Sequence, residues 1–228
     1  MTAIYIAGAH TDVGKTHVAC AVIEAARGRG LAVDAFKPVA SGFDPDDWGH
    51  SDPGRLLAAL GRPHTQEALE AISPWRFAAP LAPPMAARLE ARPLPLGPIA
   101  ERCRRALAAS SASLFVIEGV GGLMSPIAEA ATGLDLMLEL RLPTVLVGGS
   151  YLGALSHTLT AVEVIRARGL PLSSVVISQD AEAEAPDFAE TVATIRGFCG
   201  GTRVIAAPRG LPESWPHAVL DAALSETT

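Results

Sequence analysis

Short apolar runs recur along the chain and alternate with longer stretches that carry helical spacing. The apolar runs cover residues 3–7, 31–36, 114–117, 143–149, 174–178 and 203–208. Their hydrophobicity is continuous, which is typical of strands buried on both faces. The intervening stretches predict helices over residues 17–27, 53–60, 85–91, 99–110, 154–168 and 188–196. This alternation predicts an α/β fold with a mostly parallel central sheet and helices on both faces.

The segment Gly8-Ala9-His10-Thr11-Asp12-Val13-Gly14-Lys15-Thr16 joins the first predicted strand to the first predicted helix. This layout is that of a phosphate-binding loop, in which backbone N–H groups and a helix N-terminus face anionic oxygens. Lys15 would add positive charge near the β- and γ-phosphates, and the Thr16 hydroxyl would ligate Mg²⁺. Five residues separate Gly8 from Gly14, where the common form has four, so the loop is a variant. The alternative is a glycine turn that binds nothing.

Polar residues also follow other predicted strands, at the sheet edge where ligands of parallel sheets bind. Lys37 and Ser41 follow the second strand, and Glu118 directly follows the strand over residues 114–117. We expect Glu118 to lie near Thr16 as a metal or water ligand. Asp52 precedes Pro53, which predicts Asp52 as the N-cap of a helix, with a metal role as a second possibility. Exposed loop positions are the alternatives for Lys37 and Glu118.

Composition and charge restrict the function classes. At 228 residues, the chain suits one domain over residues 1–228, and a net charge of −6 without a basic stripe argues against nucleic acid as a partner. No apolar run approaches the roughly 18 to 20 residues of a membrane span, and the N-terminus lacks the pattern of a signal peptide. Cys20, Cys103 and Cys199 are scattered without metal-ligand spacing. They predict reduced cysteines in a cytoplasmic protein, and a catalytic thiol is the alternative.

Taken together, these motifs resemble dethiobiotin synthetase. The resemblance rests on the phosphate loop, Lys37-Pro38-Val39-Ala40-Ser41-Gly42, Ser51-Asp52, Glu118-Gly119-Val120-Gly121-Gly122 and Leu152-Gly153. It runs from the first strand to about Ala161, with weaker matches at Gln179-Asp180 and Pro208. It implies a P-loop NTPase-type three-layer fold in a homodimer. It also implies that 7,8-diaminononanoate, CO₂ and MgATP give dethiobiotin, ADP and phosphate through a carbamate and a carbamic–phosphoric anhydride.

The resemblance also implies roles for individual residues. Lys15, Lys37 and Thr11 would be catalytic, and Thr16, Asp52 and Glu118 would bind Mg²⁺. ATP would contact Asp12, Val13, Gly14, Lys15, Thr16, His17, Glu118, Gln179 and Pro208. The diamine and its carbamate would contact Thr11, Lys37, Ser41, Gly121, Tyr151, Leu152 and Gly153.

Gln179 stands where the family often has Asn, although an amide of either length can pair with adenine.

The first competing interpretation is a nucleotide switch of the iron-protein and partitioning-ATPase kind. Such switches carry a second Lys five residues before the loop Lys, where this chain has His10. A corrin-amidating amidotransferase would need a glutaminase domain, for which the chain is too short. A binding protein without activity is the third interpretation, and the presence of Lys15, Thr16, Lys37 and Glu118 argues against it.

Overall fold

The computed structural model of the chain describes residues 1–181, 185–210 and 214–225. The strands in these ranges are β1 (Thr2–Gly8), β2 (Val33–Phe36), β3 (Val39–Ser41), β4 (Trp75–Phe77), β5 (Leu114–Glu118), β6 (Pro126–Ala128), β7 (Ala131–Thr132), β8 (Thr144–Gly148), β9 (Leu172–Ser178) and β10 (Val204–Ala207). Six of them form one sheet in the order β10-β9-β8-β1-β5-β2. Every pairing in this sheet is parallel. The parallel sheet predicted from continuous apolar runs is therefore confirmed.

Helices cover both faces of the sheet. They are α1 (Lys15–Gly28), α2 (Asp52–Ala59), α3 (Gln66–Ile72), α4 (Pro83–Leu89), α5 (Leu96–Ala109), α6 (Gly133–Leu140), α7 (Ala154–Ala167), α8 (Phe188–Phe198) and α9 (Ser214–Ser225). A 3-10 helix, Trp48–His50, precedes α2. Within the described ranges, none of these helices combines the length and hydropathy that a bilayer crossing requires.

Side chains along β1 alternate between two hydrophobic cores. Ile4 and Ile6 pack on one face with residues of α1, α2, α3 and α9, whereas Tyr5 and Ala7 pack on the other face with residues of α5, α6, α7 and α8. Alternation is the geometry of any strand. Both sets are apolar here because helices cover both faces. This arrangement makes β1 a fully buried central strand, so the loop that follows it is anchored at the middle of the sheet edge.

The predicted cap of α2 was wrong by one residue. Ser51 is the N-cap, and its Oγ accepts a hydrogen bond from the backbone N–H of Gly54, with Asp52 and Pro53 in the first turn. Serine and aspartate are about equally good caps, so the pair Ser51-Asp52 left the choice to the tertiary structure. Because Ser51 caps the helix, the carboxylate of Asp52 is available for other contacts.

Candidate active site

The phosphate loop lies between β1 and α1, and at two of its glycines, Gly8 and Gly14, there is no room for a side chain. A Cβ atom on Gly8 would lie 2.8 Å from the His10 carbonyl oxygen and 2.9 Å from that of Gly121. Gly14 has φ of +90°, and a Cβ there would lie 2.7 Å from Ser178 Oγ. Left-handed backbone and close approach both favour glycine. The loop can therefore fold tightly against its neighbours while the N-terminus of α1 stays open toward an anion.

Lys37 and Glu118 meet because their strands are neighbours. Strand β2 pairs with β5 in a register that sets Phe36 beside Ile117. Lys37 directly follows β2 and Glu118 is the last residue of β5, so the two residues lie together at the carboxyl edge of the sheet. The Nζ of Lys37 lies 2.6 Å from Glu118 Oε1 and 2.7 Å from Asp52 Oδ2, and it donates to the Gly119 carbonyl at 3.3 Å. The side chains of Lys37 and Glu118 are buried, whereas that of Asp52 is 45% exposed. The ammonium thus joins two carboxylates from separate parts of the chain.

Thr16 contacts the same two carboxylates. Its hydroxyl lies 2.8 Å from Asp52 Oδ1 and 2.6 Å from Glu118 Oε1, the second contact being fully buried. Glu118 Oε2 is buried and has no hydrogen-bond partner among the described residues. One hydroxyl and two carboxylates form an oxygen set that suits a hard cation such as Mg²⁺. The described part of the chain has no group of three His, Cys, Asp or Glu side chains arranged for a metal. A metal here would therefore take its remaining ligands from phosphate and water.

Burial and nearby charges shift the pKa values of four side chains in the site. Burial, reinforced by the charge of Lys37, lowers the pKa of Lys15 to about 8. Burial would lower the pKa of Lys37 as well, but Glu118 and Asp52 outweigh this effect and raise it. Burial raises the pKa of Glu118, with Lys37 opposing that shift. The pKa of Asp52 falls to about 2 because Lys37 and Thr16 more than offset partial burial. Lys37 therefore keeps its proton at mildly alkaline pH, whereas Lys15 loses its proton more readily.

A cavity of about 1250 Å³ extends from the phosphate loop along α1. Among its lining residues are the predicted nucleotide contacts Asp12, Val13, Gly14, His17, Gln179 and Pro208. The Oε1 atom of Gln179 accepts a hydrogen bond from the backbone N–H of Arg209 at 2.9 Å, which orients the side-chain amide. The cavity thus brings the predicted base-contacting residues to the same opening as the loop.

Several of the predicted substrate contacts lie close to the first residues of the phosphate loop. A Cβ on Gly121 would lie 3.6 Å from Thr11 Oγ1, so these two residues are neighbours. The ring of His10 lies 5.8 Å from that of Tyr151 and stacks on His157 at 5.0 Å. This ring cluster stands beside Thr11, whose carbonyl accepts a hydrogen bond from His10 Nδ1 at 2.9 Å.

Three further predicted substrate contacts lie elsewhere. Leu152 and Gly153 are at the start of α7, and Ser41 is in a two-stranded sheet formed by β3 and β4. Gly153 is the N-cap of α7 with φ of +97°, and Leu152 before it is 90% exposed. Ser41 ends β3, which pairs with β4 in a separate two-stranded sheet. The structure thus joins Thr16, Lys37, Asp52 and Glu118 in one network of contacts, with Lys15 next to Thr16 in the chain. It places Ser41, Leu152 and Gly153 outside that network.

One of the three cysteines, Cys20, lines the cavity beside the phosphate loop. Burial raises the pKa of the Cys20 and Cys103 thiols to about 12, and all three cysteines are free. A thiol with such a pKa stays protonated at neutral pH, and the thiolate is the nucleophile. The geometry therefore favours the predicted structural cysteines over a catalytic thiol.

Comparison with known proteins identifies the family. A family described as an AAA domain matches residues 2–211. The ATP-dependent dethiobiotin synthetase BioD of Phenylobacterium zucineum is 54% identical over 222 residues, covering 97% of this chain and 95% of that protein. The synthetase of the same name from Caulobacter vibrioides is 52% identical, covering 92% of this chain and 93% of its own length. The chain belongs to the ATP-dependent dethiobiotin synthetase family.

Membership in the dethiobiotin synthetase family settles the activity at the level of the reaction. The chain is an ATP-dependent ligase that forms dethiobiotin, as predicted.

Solved structures show the fold alone. The hydrogenase maturation factor HypB from Archaeoglobus fulgidus matches with a TM-score of 0.56 at 14% identity, covering 100% of this chain and 91% of that one. The MinC:MinD cell division complex of Aquifex aeolicus also matches with a TM-score of 0.56, at 8% identity, with 100% and 96% coverage. The nucleotide-switch alternative is less supported than the synthetase, because the relatives that share about half of this sequence are named dethiobiotin synthetases.

Sequence reasoning missed residues that shape the site. Arg209 and Trp215 line the cavity beside the phosphate loop, and His157 stacks on His10. Arg209 follows the last strand of the sheet, so its position at the carboxyl edge was a usable signal. Trp215 and His157 lie in helices, where no local pattern distinguishes a cavity residue from a packed one.

Proposed function

We propose that this synthetase uses 7,8-diaminononanoate and CO₂ as its substrates and couples them to ATP through a carbamate. One amine of the substrate attacks CO₂ and loses a proton, which gives the carbamate anion. A carbamate oxygen then attacks the γ-phosphorus, ADP leaves, and a carbamic–phosphoric anhydride forms. The second amine attacks the anhydride carbonyl carbon, the C–O bond to phosphate breaks, and inorganic phosphate leaves as the ureido ring closes.

The observation that carries this proposal is the convergence of Lys37 with Thr16 and Glu118 beside the phosphate loop. The phosphoryl transfer joins two anions, a carbamate and a triphosphate, so its transition state needs concentrated positive charge. Lys15 starts α1 within the loop, and Lys37 reaches the adjacent carboxylates from β2. In the proposal, Lys15 neutralises the β- and γ-phosphates, and Lys37 neutralises the carbamate and the transferring phosphoryl group.

Thr16, Asp52 and Glu118 would hold Mg²⁺. Two observations support this: the donors are all oxygens, and Glu118 Oε2 has no hydrogen-bond partner in the described part of the chain. When bound, the metal would neutralise phosphate charge. Backbone N–H groups of the loop from Asp12 to His17 would hold the phosphates, as helix N-termini do for anions.

The remaining predicted residues divide into base and substrate contacts. Gln179 and Pro208 would face the base, which their place in the cavity lining supports. Thr11, Ser41 and Gly121 would hold the diamine and its carbamate, and Tyr151, Leu152 and Gly153 would hold the substrate tail. The adjacency of Gly121 to Thr11 and of Tyr151 to His10 supports the shared location of the two groups.

We assign this reaction to one domain spanning residues 1–228, acting as a homodimer in the cytoplasm. Leu152 and Leu155 are both exposed near the start of α7, and covering this apolar surface with a second copy would remove it from water, which supports the dimer. The size-exclusion mass of the protein tests this assembly, and a monomeric mass throughout the working concentration range would contradict it.

The proposed substrates are tested by phosphate release with MgATP and bicarbonate, with and without 7,8-diaminononanoate. We expect release only when the diamine is present, together with the stoichiometric appearance of dethiobiotin. A monoamine of the same chain length is the matched control. It can form a carbamate and its anhydride but cannot close the ring, so we expect no cyclic urea from it. Steady phosphate release without any amine substrate would contradict the proposal and favour a nucleotide switch.

A further inference from the structure

The oxygens proposed to bind Mg²⁺ already face a cation that belongs to the chain. Lys37 Nζ contacts Glu118 Oε1 at 2.6 Å and Asp52 Oδ2 at 2.7 Å. The side chains of Lys37 and Glu118 are 1% and 0% exposed, so water screens their contact little, whereas Asp52 is 45% exposed. A divalent metal would have to approach the same carboxylates. An ammonium in contact with them repels such a metal and occupies part of its coordination sphere.

The Thr16 hydroxyl cannot donate to both of the carboxylate oxygens that it contacts. Its single proton serves two carboxylate oxygens, 2.8 Å away in Asp52 and 2.6 Å away in Glu118. A hydroxyl donates one hydrogen bond at a time, so one of these short oxygen–oxygen contacts has no proton between its atoms. Glu118 Oε2 adds a buried acceptor with no partner among the described residues. The cluster is therefore ready for a further cation at Glu118 Oε2, while Lys37 covers Glu118 Oε1.

We infer that Lys37 closes the metal site in the ligand-free protein, and that entry of the metal displaces Lys37 from Glu118 and Asp52. This inference rests on the proposed function only through the assignment of Thr16, Asp52 and Glu118 as metal ligands. The displaced ammonium is then free to contact the carbamate and the γ-phosphate. The contact with the Gly119 carbonyl, at 3.3 Å, lies outside the carboxylate pair and allows the amine to stay near the site.

The consequence is an order of events. Before the metal enters, Lys37 is held by two carboxylates, and its charge is not available to a carbamate. After the metal enters, like-charge repulsion favours movement of the ammonium toward the nearest anions, which are the substrates. Lys37 therefore acts as a positioning residue for the metal site first and as a substrate contact second.

Metal affinity without diamine tests this inference directly. We would titrate Mn²⁺ into the wild type and into the Lys37→Met variant, with and without ADP, and count free Mn²⁺ by electron paramagnetic resonance. Removing an adjacent charge changes the affinity of a carboxylate for a cation roughly tenfold or more. We therefore expect Lys37→Met to bind Mn²⁺ at least about tenfold more tightly than the wild type. Equal or weaker binding by this variant overturns the inference.

Lys15→Met is the matched control. Lys15 is also buried and nearby, but its Nζ contacts the His10 carbonyl, at 3.4 Å, instead of the carboxylates. We expect this variant to gain clearly less Mn²⁺ affinity in the absence of ADP than Lys37→Met gains. Equal gains in the two variants overturn direct displacement, because general loss of positive charge would then explain both.

The wild type provides an independent measurement that does not depend on folding of a variant. The sequence contains two lysines, Lys15 and Lys37, so a lysine-ammonium NMR spectrum has at most two signals. We expect saturating Mg²⁺ with ADP to shift the Lys37 signal and to remove its contacts with Glu118. An unchanged Lys37 signal overturns the inference. These outcomes are separate from diamine-dependent phosphate release, so the failure of one proposal is distinguishable from the failure of the other.

Discussion

The Nζ of Lys37 lies 2.6 Å from Oε1 of Glu118, although 81 residues separate them in the chain. The contact follows from the parallel pairing of β2 with β5, which brings the ends of two remote segments together. Glu118 in turn contacts Thr16 of the phosphate loop at 2.6 Å. One carboxylate therefore links the proposed carbamate contact to the nucleotide site.

Replacing Lys37 with Met should reduce kcat far more than nucleotide affinity. The charge of Lys37 is proposed to match the transition state, and loss of one such preorganised donor costs about 10²–10³ in kcat. We expect the Kd for ADP to weaken by less than about threefold, because the loop and Lys15 hold the phosphates. Steady-state kinetics and calorimetry check the two effects. An unchanged kcat would refute the role of Lys37.

Replacing Glu118 with Gln should weaken metal-dependent nucleotide binding specifically. The variant keeps the size of the side chain but loses the charge that a hard cation requires. We expect the affinity for ATP with Mg²⁺ to fall at least about tenfold, the size of loss seen even for outer-shell partners of metals. Affinity for ATP measured in EDTA should hold or improve, since a negative charge near the phosphates is removed. Equal losses with and without Mg²⁺ would show that Glu118 is not a metal ligand.

Nucleotide binding should take up a proton at mildly alkaline pH. The pKa of Lys15 in the ligand-free protein is lowered to about 8, and a bound triphosphate favours the ammonium and raises this pKa. At about pH 8.5 the free protein therefore carries a partly neutral Lys15, which becomes charged in the complex. Calorimetry in buffers of different ionisation enthalpy should detect this uptake at about pH 8.5 and little of it near pH 6.5. Full uptake in the Lys15→Met variant would assign the proton to another group.

Substitutions at Ser51 and Asp52 should have different effects on metal binding. Ser51→Ala removes the cap of α2 and should cost about 1 kcal/mol of unfolding free energy, with little effect on Mg²⁺ affinity. Asp52→Asn keeps the cap and should weaken Mg²⁺-dependent nucleotide binding; it should also lower the free energy of unfolding, because the buried Lys37 loses an ion-pair partner. Denaturant melts and nucleotide titrations of both variants check this. Loss of metal binding in Ser51→Ala, with retention in Asp52→Asn, would reverse the assignment.

The sheet was predictable because its strands are buried on both faces. Residues of β1, β5, β8 and β9 form continuous apolar runs, and the loops that follow them carry the polar side chains of the site. Parallel order then implies that Lys37, Glu118 and the phosphate loop share one edge. The convergence of these residues thus followed from pattern and topology.

The remaining elements were missed for identifiable reasons. The pairs β3–β4 and β6–β7 have strands of two or three residues, too short for a periodic signal. Helix α6 does carry a sequence signal, because Thr132 and Asp135 form a capping box at its N-terminus. This pair was enough to predict the start of the helix. The orientation of Gln179 by Arg209 and the closure of the metal site by Lys37 depend on side-chain contacts between remote segments, which no local pattern encodes.

The fate of the oxygens of CO₂ tests the central claim, that a carbamate is the phosphoryl acceptor, most directly. The reaction would be started with ¹⁸O-labelled CO₂ and stopped before the label exchanges with water. The inorganic phosphate would then be analysed by mass spectrometry. The account predicts that each phosphate carries one oxygen from CO₂, because the carbamate oxygen that attacks the γ-phosphorus leaves with phosphate at ring closure. Phosphate that takes its new oxygen from water instead would contradict it.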